Sequence, residues 1–545
     1  VGWASPGFFQ VLGVAPVLGR GFLAEEGEPG APPVAIISHR LWQDRYGGRA
    51  DVIGSTAMLE GMPGTIVGVL PPGFRFLEEV DAYLPMVPGE AFASARRYHN
   101  WLVVARLGPG ATVAGARSEV DVIMGQLAAE YPGSNQGKGM VVTPLQDALM
   151  EGLRPALMLL TGAIGLLLLI ACANVASLML ARGSGRTTEL AVRSAMGAGR
   201  SRLLGQVLVE AAVLAVVGGV LGAAVAVVAQ RSLVAATPLT RLGLEAVGLQ
   251  PEVLLFALLL SAATVLLFGL APALAAARVE AVEGLKAGSR SVAGRRSRFR
   301  DGLVVVQVAL SVLLLVGAGL LVRSFAQLRG VDPGFEAGGL VTAEIGLPRG
   351  SYTDPAQASR FFDDYLERVR AMPGVEGAGL ISYLPIRDQG NNVGVWDPSH
   401  PPANASEVDL AYIRIVKPGY FETMGIPILR GRDVRPSDTE DATPVIIIDS
   451  AMAAALFPGE DPIGRQVAVD AGDPRPVLEV VGVVGDVHAS SLSGGSEWTL
   501  YFAYDQRPQH TMRLAVRTAG APTALVPALR SALADLGPDI PLAGV

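Results

Sequence analysis

The residues best placed to do something chemical in this chain are a set of arginines. The stretch RTTELAVRSAMGAGRSR, starting at residue 186, carries Arg186, Arg193 and Arg200 at intervals of seven. On a helix that interval returns the three guanidinium groups to one face, while Ala191, Val192 and Ala195 point the other way. Glu189 stands four residues before Arg193, the order that favours an ion pair of about 0.2–0.5 kcal/mol. Thr187 or Thr188 can cap the start, and Gly197 and Gly199 weaken the helix and admit a sharp turn. A short surface helix of this kind can be pushed or pulled by a partner. It can equally be a basic connection that fixes topology or touches anionic lipid, and the residue types alone leave both readings open.

Elsewhere the chemistry-bearing residues point away from catalysis. GSNQGKG at 133–139 approaches a phosphate-binding loop but has the wrong spacing, with Gly139 where a hydroxyl should stand. His39, His99, His400, His488 and His510 are scattered singly, without a pair at metal-ligand spacing. The single cysteine, Cys172, lies inside an apolar run, so no intrachain disulfide can form. No Gly-x-Ser-x-Gly elbow occurs, and the carboxylate pairs Glu25–Glu26, Glu78–Glu79 and Asp363–Asp364 are adjacent, so they diverge on any regular element. No catalytic residue, metal or cofactor is assigned.

The elements around the arginines are apolar. Half of the 545 residues are hydrophobic and 17% are charged, with a mean hydropathy of +0.41. A soluble domain carries about a quarter charged residues, so part of the chain is expected in lipid. The net charge of −7 and the lack of a basic run with interleaved aromatics argue against nucleic acid as a partner. Four uncharged or nearly uncharged runs are long enough to span a bilayer, at 155–181, 203–229, 253–277 and 303–322. Burying Arg186, Arg193 and Arg200 to join the first two runs would cost on the order of 8–10 kcal/mol, which keeps that segment at the membrane surface. Twelve Lys and Arg residues in the first and last connections, against two in the middle one, place those connections in the cytoplasm. The flanking regions then lie outside. Only Glu210 puts a charge within a span, which disfavours an ion-coupled carrier.

Those flanking regions repeat each other. SPGFFQVLGVAPVLGRGF at 5–22 parallels KPGYFETMGIPILRGRDV at 417–434, and PVAIIS, DVIG, IVGV and VAR of the first region match PVIIID, DPIG, VVGV and AVR of the second in order. VAIIS, TIVGVL, WLVVARL, VTAEIGL, PVIIID and LEVVGVVGDV read as strands. Val113–Tyr131 and Phe361–Met372 carry apolar residues at helical spacing. The fold class expected is therefore a multi-domain membrane protein: an α-helical transmembrane bundle with four spans present, and two repeated α+β extracytoplasmic domains. The divisions are 1–150 (first outer domain), 151–301 (three spans), 302–324 (a span opening a second half) and 325–545 (second outer domain). The counterpart of 340–416 is expected before Val1, so the chain reads as a fragment or processed form. It would lack one span before the first outer domain and three after the second, and with one of two coupling segments it should not transport anything alone.

Several motifs resemble one family. ELAVRSAMGAGRSRLLGQVLVEA looks like the signature between the second and third spans of each half in MacB/FtsX-type permeases of ABC transporters. FGLAPALAAARVEAVEGLKAG at 268–288 resembles the end of that family's fourth span. SPGFFQVLGVAPVLGRGF and LPPGFRF resemble its extracytoplasmic core domain. The stretch from LVVVQVALSVLLLVGAGLLV to DPGF is similar to the start of the second half in duplicated permeases of Acidobacteria. Ser194 departs from the basic or small residue often found there. The resemblance implies a multi-pass protein of the bacterial cytoplasmic (inner) membrane that couples a separate cytoplasmic ABC ATPase, by mechanotransmission, to export or efflux of an antibiotic, peptide or lipoprotein-like substrate. The implied partners are that ATPase, the lipid bilayer and a periplasmic adaptor or outer-membrane channel. It implies ATPase coupling through Glu189, Arg193, Gly197, Gly199 and Arg200. A non-transporting extracytoplasmic sensor or scaffold shares the same topology and stands as the alternative.

Overall fold

PVAIIS and PVIIID become strands for the same reason. Each is a short run rich in Val and Ile that is buried on both faces, which suits a central strand. In the computed structural model they are β3 (Val34–Ile37) and β12 (Val445–Asp449), with every residue buried. The structure describes residues 1–545 apart from 60–61, 77–79, 90–100, 151–152, 186–199, 237–251, 254, 258, 262, 264–289, 389, 403–406, 471–474, 491–496 and 539. It falls into two units, Val1–Leu145 together with Leu328–Val545, and Gln146–Gln327.

The first outer domain adds β1 (Gly2–Ala4), β2 (Leu18–Gly19), β4 (Thr56–Leu59), β5 (Met62–Val69) and β6 (Ala82–Pro85). The second holds β7 (Leu340–Gly346), β8 (Val375–Ile381), β9 (Asn392–Trp396), β10 (Asp409–Val416), β11 (Ile428–Gly431), β13 (Gln466–Val469), β14 (Val477–Val484), β15 (Thr499–Ala503), β16 (Thr511–Thr518) and β17 (Leu542–Ala543). The repeat is one of topology. β1–β6, β6–β3 and β3–β5 pair parallel, antiparallel and parallel; β10–β15, β15–β12 and β12–β14 do the same. In both copies the long strand takes one antiparallel neighbour along its first half (β4 or β13) and another along its second (β2 or β11). A register shift falls at the same place in each, between Ala35 and Ile36 and between Ile446 and Ile447.

The second copy shows further strands among the described residues. β9 pairs with both β10 and β13, so six strands close a cycle of pairings. The strands β8-β16-β7-β17 form a further antiparallel arrangement with β7 and β8 each beside β16. With the helices Pro355–Arg370 and Val526–Ala534 this is a β-α-β-β-α-β layer into which the strands β9–β15 are inserted. Asp354 caps the first helix through Ala356, Pro355 opens it, and Phe361, Phe362, Tyr365, Leu366 and Val369 are buried.

One expected strand is not formed. WLVVARL at 101–107 forms no ladder, and Leu102 and Val103 are exposed. Its counterpart β16 lies between β7 and β8, and no strand of the described residues 1–145 offers those two edges. The helix Val113–Glu130 does form, capped by Thr112, yet none of its residues is buried. Arg106 keeps its place even so: its Nε donates to the Val11 carbonyl at 2.9 Å, as Arg517 Nε donates to Thr423 at 2.8 Å in the second copy.

In the other unit the first expected span lies within the helix Arg154–Gly185, of 32 residues, and the second within Arg200–Ala236, of 37. The fourth lies within Arg290–Arg329, a helix of 40 residues that extends well past the expected 303–322 at both ends. Among the described residues two helices are long and apolar enough to cross a membrane, Arg154–Val175 and Asp301–Arg329, and Val216–Ser232 is a shorter apolar helix. The third expected span falls largely outside the described residues.

Two sites where the copies match give tests. Gly19 (φ +77°) and Gly431 (φ +72°) pass so close to β5 and β14 that a Cβ would strike the Val67 or Val481 carbonyl. Gly459 has a similar φ of +78° with open space around it. Gly431→Ala should destabilise the second domain by at least about 3 kcal/mol, while Gly459→Ala costs only about 1–2 kcal/mol from the left-handed backbone. Hydrogen exchange of β12 and β14 peptides in the full chain reads the difference.

The second test concerns helix caps. Ser38 follows β3, caps the next helix through Leu41 at 3.0 Å and donates to Asp81 at 3.2 Å. In the second copy Asp449 takes that place, capping through Met452 at 2.7 Å and accepting from the Thr499 amide. Asp449 is fully buried, and burial pushes its carboxyl up to about 7 against the pull of those amides. The folded state thus holds a proton that the unfolded state releases near pH 4. This contribution is complete below about pH 4 and is lost as pH rises toward 7, at up to roughly 1.4 kcal/mol per pH unit. Asp449→Asn should flatten that slope in urea-unfolding midpoints measured between pH 4 and 8.

Candidate functional site

The segment expected to couple to an ATPase is bracketed by two long helices. Glu189, Arg193, Gly197 and Gly199 lie outside the described residues; Arg200 is the first residue of the helix Arg200–Ala236. In sequence the segment joins the end of Arg154–Gly185 to that start.

A buried charge cluster lies elsewhere, where the β9–β15 strands meet the β-α-β-β-α-β layer. β10 touches β8 at one pair, Val416 with Ile381, and the next residue is Lys417. Its ammonium is buried, with 1% of the side chain exposed, and donates to Ser359 Oγ and Asp363 Oδ1 at 2.7 Å and to Asp505 Oδ1 at 3.3 Å. The Tyr504 ring lies 4.8 Å away. Ser359 and Asp363 come from Pro355–Arg370 and Asp505 from the turn after β15. One cation therefore ties a helix and two strand ends together. A buried ion stripped of its partners destabilises by several kcal/mol, so the cluster holds as a set. With two carboxylates engaged, the Ser–Lys contact is a clasp and not a nucleophile with its base.

Beside it Arg414 is buried among carbonyl oxygens of Ile413, Asp388 and Ala489, and lies 5.4 and 5.8 Å from the rings of Tyr412 and Tyr383. Burial pulls the guanidinium pKa down from its usual value, opposed by Tyr501, Tyr420 and Asp388. Arg513 lies 5.1 Å from the Tyr383 ring and pairs with Glu344 at 2.9 Å and Asp388 at 3.2 Å. These groups brace a turn whose centre, Ile386, has φ +66°. Arg387 N reaches Pro385 O at 2.7 Å across it, while Ile386 N donates to Ala489 at 3.0 Å and Leu384 N to Asp388 at 3.0 Å. A β-branched residue holds such a backbone only where its surroundings over-determine it. The arrangement joins two parts of one domain, with every polar group named here engaged.

Each copy also carries an arginine clasp. Arg20 grips Glu26 at 2.6 and 3.0 Å, and Arg432 grips Asp438 at 2.7 and 2.9 Å. Both carboxylates accept a further backbone amide, from Leu23 or Arg435. Sequence comparison found the arginines in the repeat; reading six residues further would have found their partners. Arg414 and Lys417 were missed, although two cations in the otherwise apolar AYIRIVK are a visible signal. Of the histidines, His400 meets Asp397 at 3.0 Å, His510 meets the Tyr352 carbonyl at 3.0 Å, and His39 packs edge-on against Trp42. His99 lies outside the described residues.

Comparison with known proteins places these features. Residues 1–123 and 302–536 match the MacB-like periplasmic core domain, and 161–281 match the FtsX-like permease C-terminal domain. The pyoverdine export ATP-binding/permease protein PvdT of Pseudomonas syringae pv. tomato is 28% identical over 280 residues, covering 50% of this chain and 40% of that protein. The macrolide export ATP-binding/permease protein MacB of Escherichia coli K12 is 26% identical over 287 residues, covering 52% and 42%. The chain thus spans about two fifths of the length of these relatives. The periplasmic region of MacB from Actinobacillus actinomycetemcomitans aligns over 39% of this chain and 90% of its own, at 16% identity and a TM-score of 0.26. With the periplasmic core match on both sides of the permease match, the chain belongs to the family of MacB/FtsX-type permeases: membrane proteins with extracytoplasmic domains.

Proposed function

We propose that this chain is the membrane permease of an ABC-type exporter that works by mechanotransmission. Four spans at 155–181, 203–229, 253–277 and 303–322 cross the bacterial cytoplasmic membrane, with both outer domains on the extracytoplasmic side. A separate cytoplasmic ATPase docks on the segment from Glu189 to Arg200. Its closure moves the first two spans, and the outer domains move with them to drive export of an antibiotic, peptide or lipoprotein-like substrate. The two relatives above are named as exporters of pyoverdine and of macrolides, and we carry only the direction of transport from them. A periplasmic adaptor or outer-membrane channel completes the route.

The observation that carries this reading is the length and continuity of the helices. Arg290–Arg329 has 40 residues, and at 1.5 Å per residue is about 60 Å long against a hydrocarbon core of roughly 30 Å. It delivers the chain, ten residues later, to β7 of the second outer domain. A rigid rod of that kind suits the transfer of displacement better than the lining of a pore. The charge-poor spans support the same reading, because energy must then come from outside them.

Arg193→Glu reverses one charge of the heptad arginines while leaving the spans untouched. In the full-length protein it should weaken co-purification of the ATPase by roughly tenfold or more and abolish stimulation of ATP hydrolysis. If binding and stimulation both survive, the docking assignment fails.

A further inference from the structure

We infer that the outer end of the first span holds a binding groove for the headgroup of a zwitterionic phospholipid carrying a primary ammonium, of the phosphatidylethanolamine kind. The groove is about 470 Å³ and lies between the short helix Leu145–Met150 and the start of Arg154–Gly185. Asp147 and Arg154 stand on its wall together with Met150, Leu157 and Met158. Both charged side chains are exposed, and among the described residues neither forms an ion pair. Thr161 also lines the groove, but its hydroxyl is committed to the Leu157 carbonyl at 2.8 Å.

Charge complementarity selects the occupant. A phosphodiester takes charge-assisted hydrogen bonds from a guanidinium, and a primary ammonium donates to a carboxylate. One phosphatidylethanolamine headgroup offers both, a few ångströms apart. A glycerol headgroup leaves Asp147 facing an anionic lipid without a cation, and a trimethylammonium has no N–H to donate. Continuity supplies the rest. The groove opens along a helix apolar enough to cross a membrane, and exposed Leu157 and Met158 continue from the charged pair into that helix. An acyl chain can follow them while the headgroup stays at interface depth, where arginine is tolerated. The groove would thus seat the outer-leaflet end of the span against one lipid class. This inference rests on the membrane topology proposed above but not on ATPase docking or export.

The test uses the full chain reconstituted into vesicles of equal parts phosphatidylethanolamine, phosphatidylglycerol and phosphatidylcholine, re-extracted in mild detergent, with retained lipid quantified by mass spectrometry. Phosphatidylethanolamine should be enriched roughly threefold over each of the others, the scale of one exposed ion pair. Asp147→Asn should remove that preference while leaving phosphatidylglycerol retained, whereas Arg154→Gln should reduce all three lipids. Both sites are exposed, and an unchanged elution volume and circular dichroism spectrum would verify folding. Retained lipid matching the vesicle composition in the wild type, or an unchanged preference in Asp147→Asn, would overturn the inference. Failure of the chain to enter vesicles at all would instead remove the topology beneath it, and the groove assignment with it.

Discussion

Every backbone amide and carbonyl removed from water must find a partner, and this constraint shapes both parts of the molecule. In the membrane-type segments it is met within each helix, which is why 32-, 37- and 40-residue helices can be apolar on all sides along their spans. In the second outer domain it is met by closure. The cycle β10-β15-β12-β14-β13-β9 leaves none of these six strands without neighbours on both sides. Among the described residues of the first domain the same five-strand pattern is formed, and 101–107 forms no ladder. Propensity alone does not make a strand.

Side-chain charge then decides how the pieces of one domain hold together. Lys417, Arg414 and Arg513 sit where β10, β8, β16 and the Pro355–Arg370 helix converge, and each satisfies groups from at least two elements. A hydrophobic contact at such a junction would tolerate sliding. A buried cation with fixed carboxylate and carbonyl partners tolerates much less, because any slip strands a charge in a poorly solvated place. The strained turn at Ile386 is locked by the same groups.

Much of this was legible in the sequence, and what was not has physical reasons. The repeat was visible because the backbone demands glycine at matching places: Gly19 with Gly431 and Gly13 with Gly425 all adopt positive φ, and the first pair also passes close to a neighbouring strand. The helix after Asp354 was visible because its apolar residues keep helical spacing and all face one core. Whether 101–107 joins a ladder depends on strands elsewhere in the chain, which its own composition does not reveal. Lys417 and Arg414 stand out as two cations in the otherwise apolar AYIRIVK, but most of their partners lie 26 to 88 residues away, beyond the reach of any local pattern. The expected coupling residues Glu189, Arg193, Gly197 and Gly199 lie outside the described residues, so their assignment rests on spacing and resemblance.

The two outer domains also show how a duplicated fold diverges without losing its frame. At the cap after β3 the first copy has a hydroxyl on the helix and a carboxylate on the neighbouring strand, Ser38 and Asp81; the second has Asp449 on the helix and Thr499 on the strand. The pair of chemical types is kept and their places exchanged. The consequence is electrostatic. Asp81 is half exposed and paired with Arg40 at 2.8 Å, whereas Asp449 is fully buried with no cation among its named partners. One backbone junction is thus a solvated ion pair in one copy and a buried acid titrating near neutrality in the other. Because the strands on either side keep the same register, the difference is confined to how tightly each cap holds as pH changes. Duplication has preserved the pairing scheme and released the side chains that set the stability of each cap.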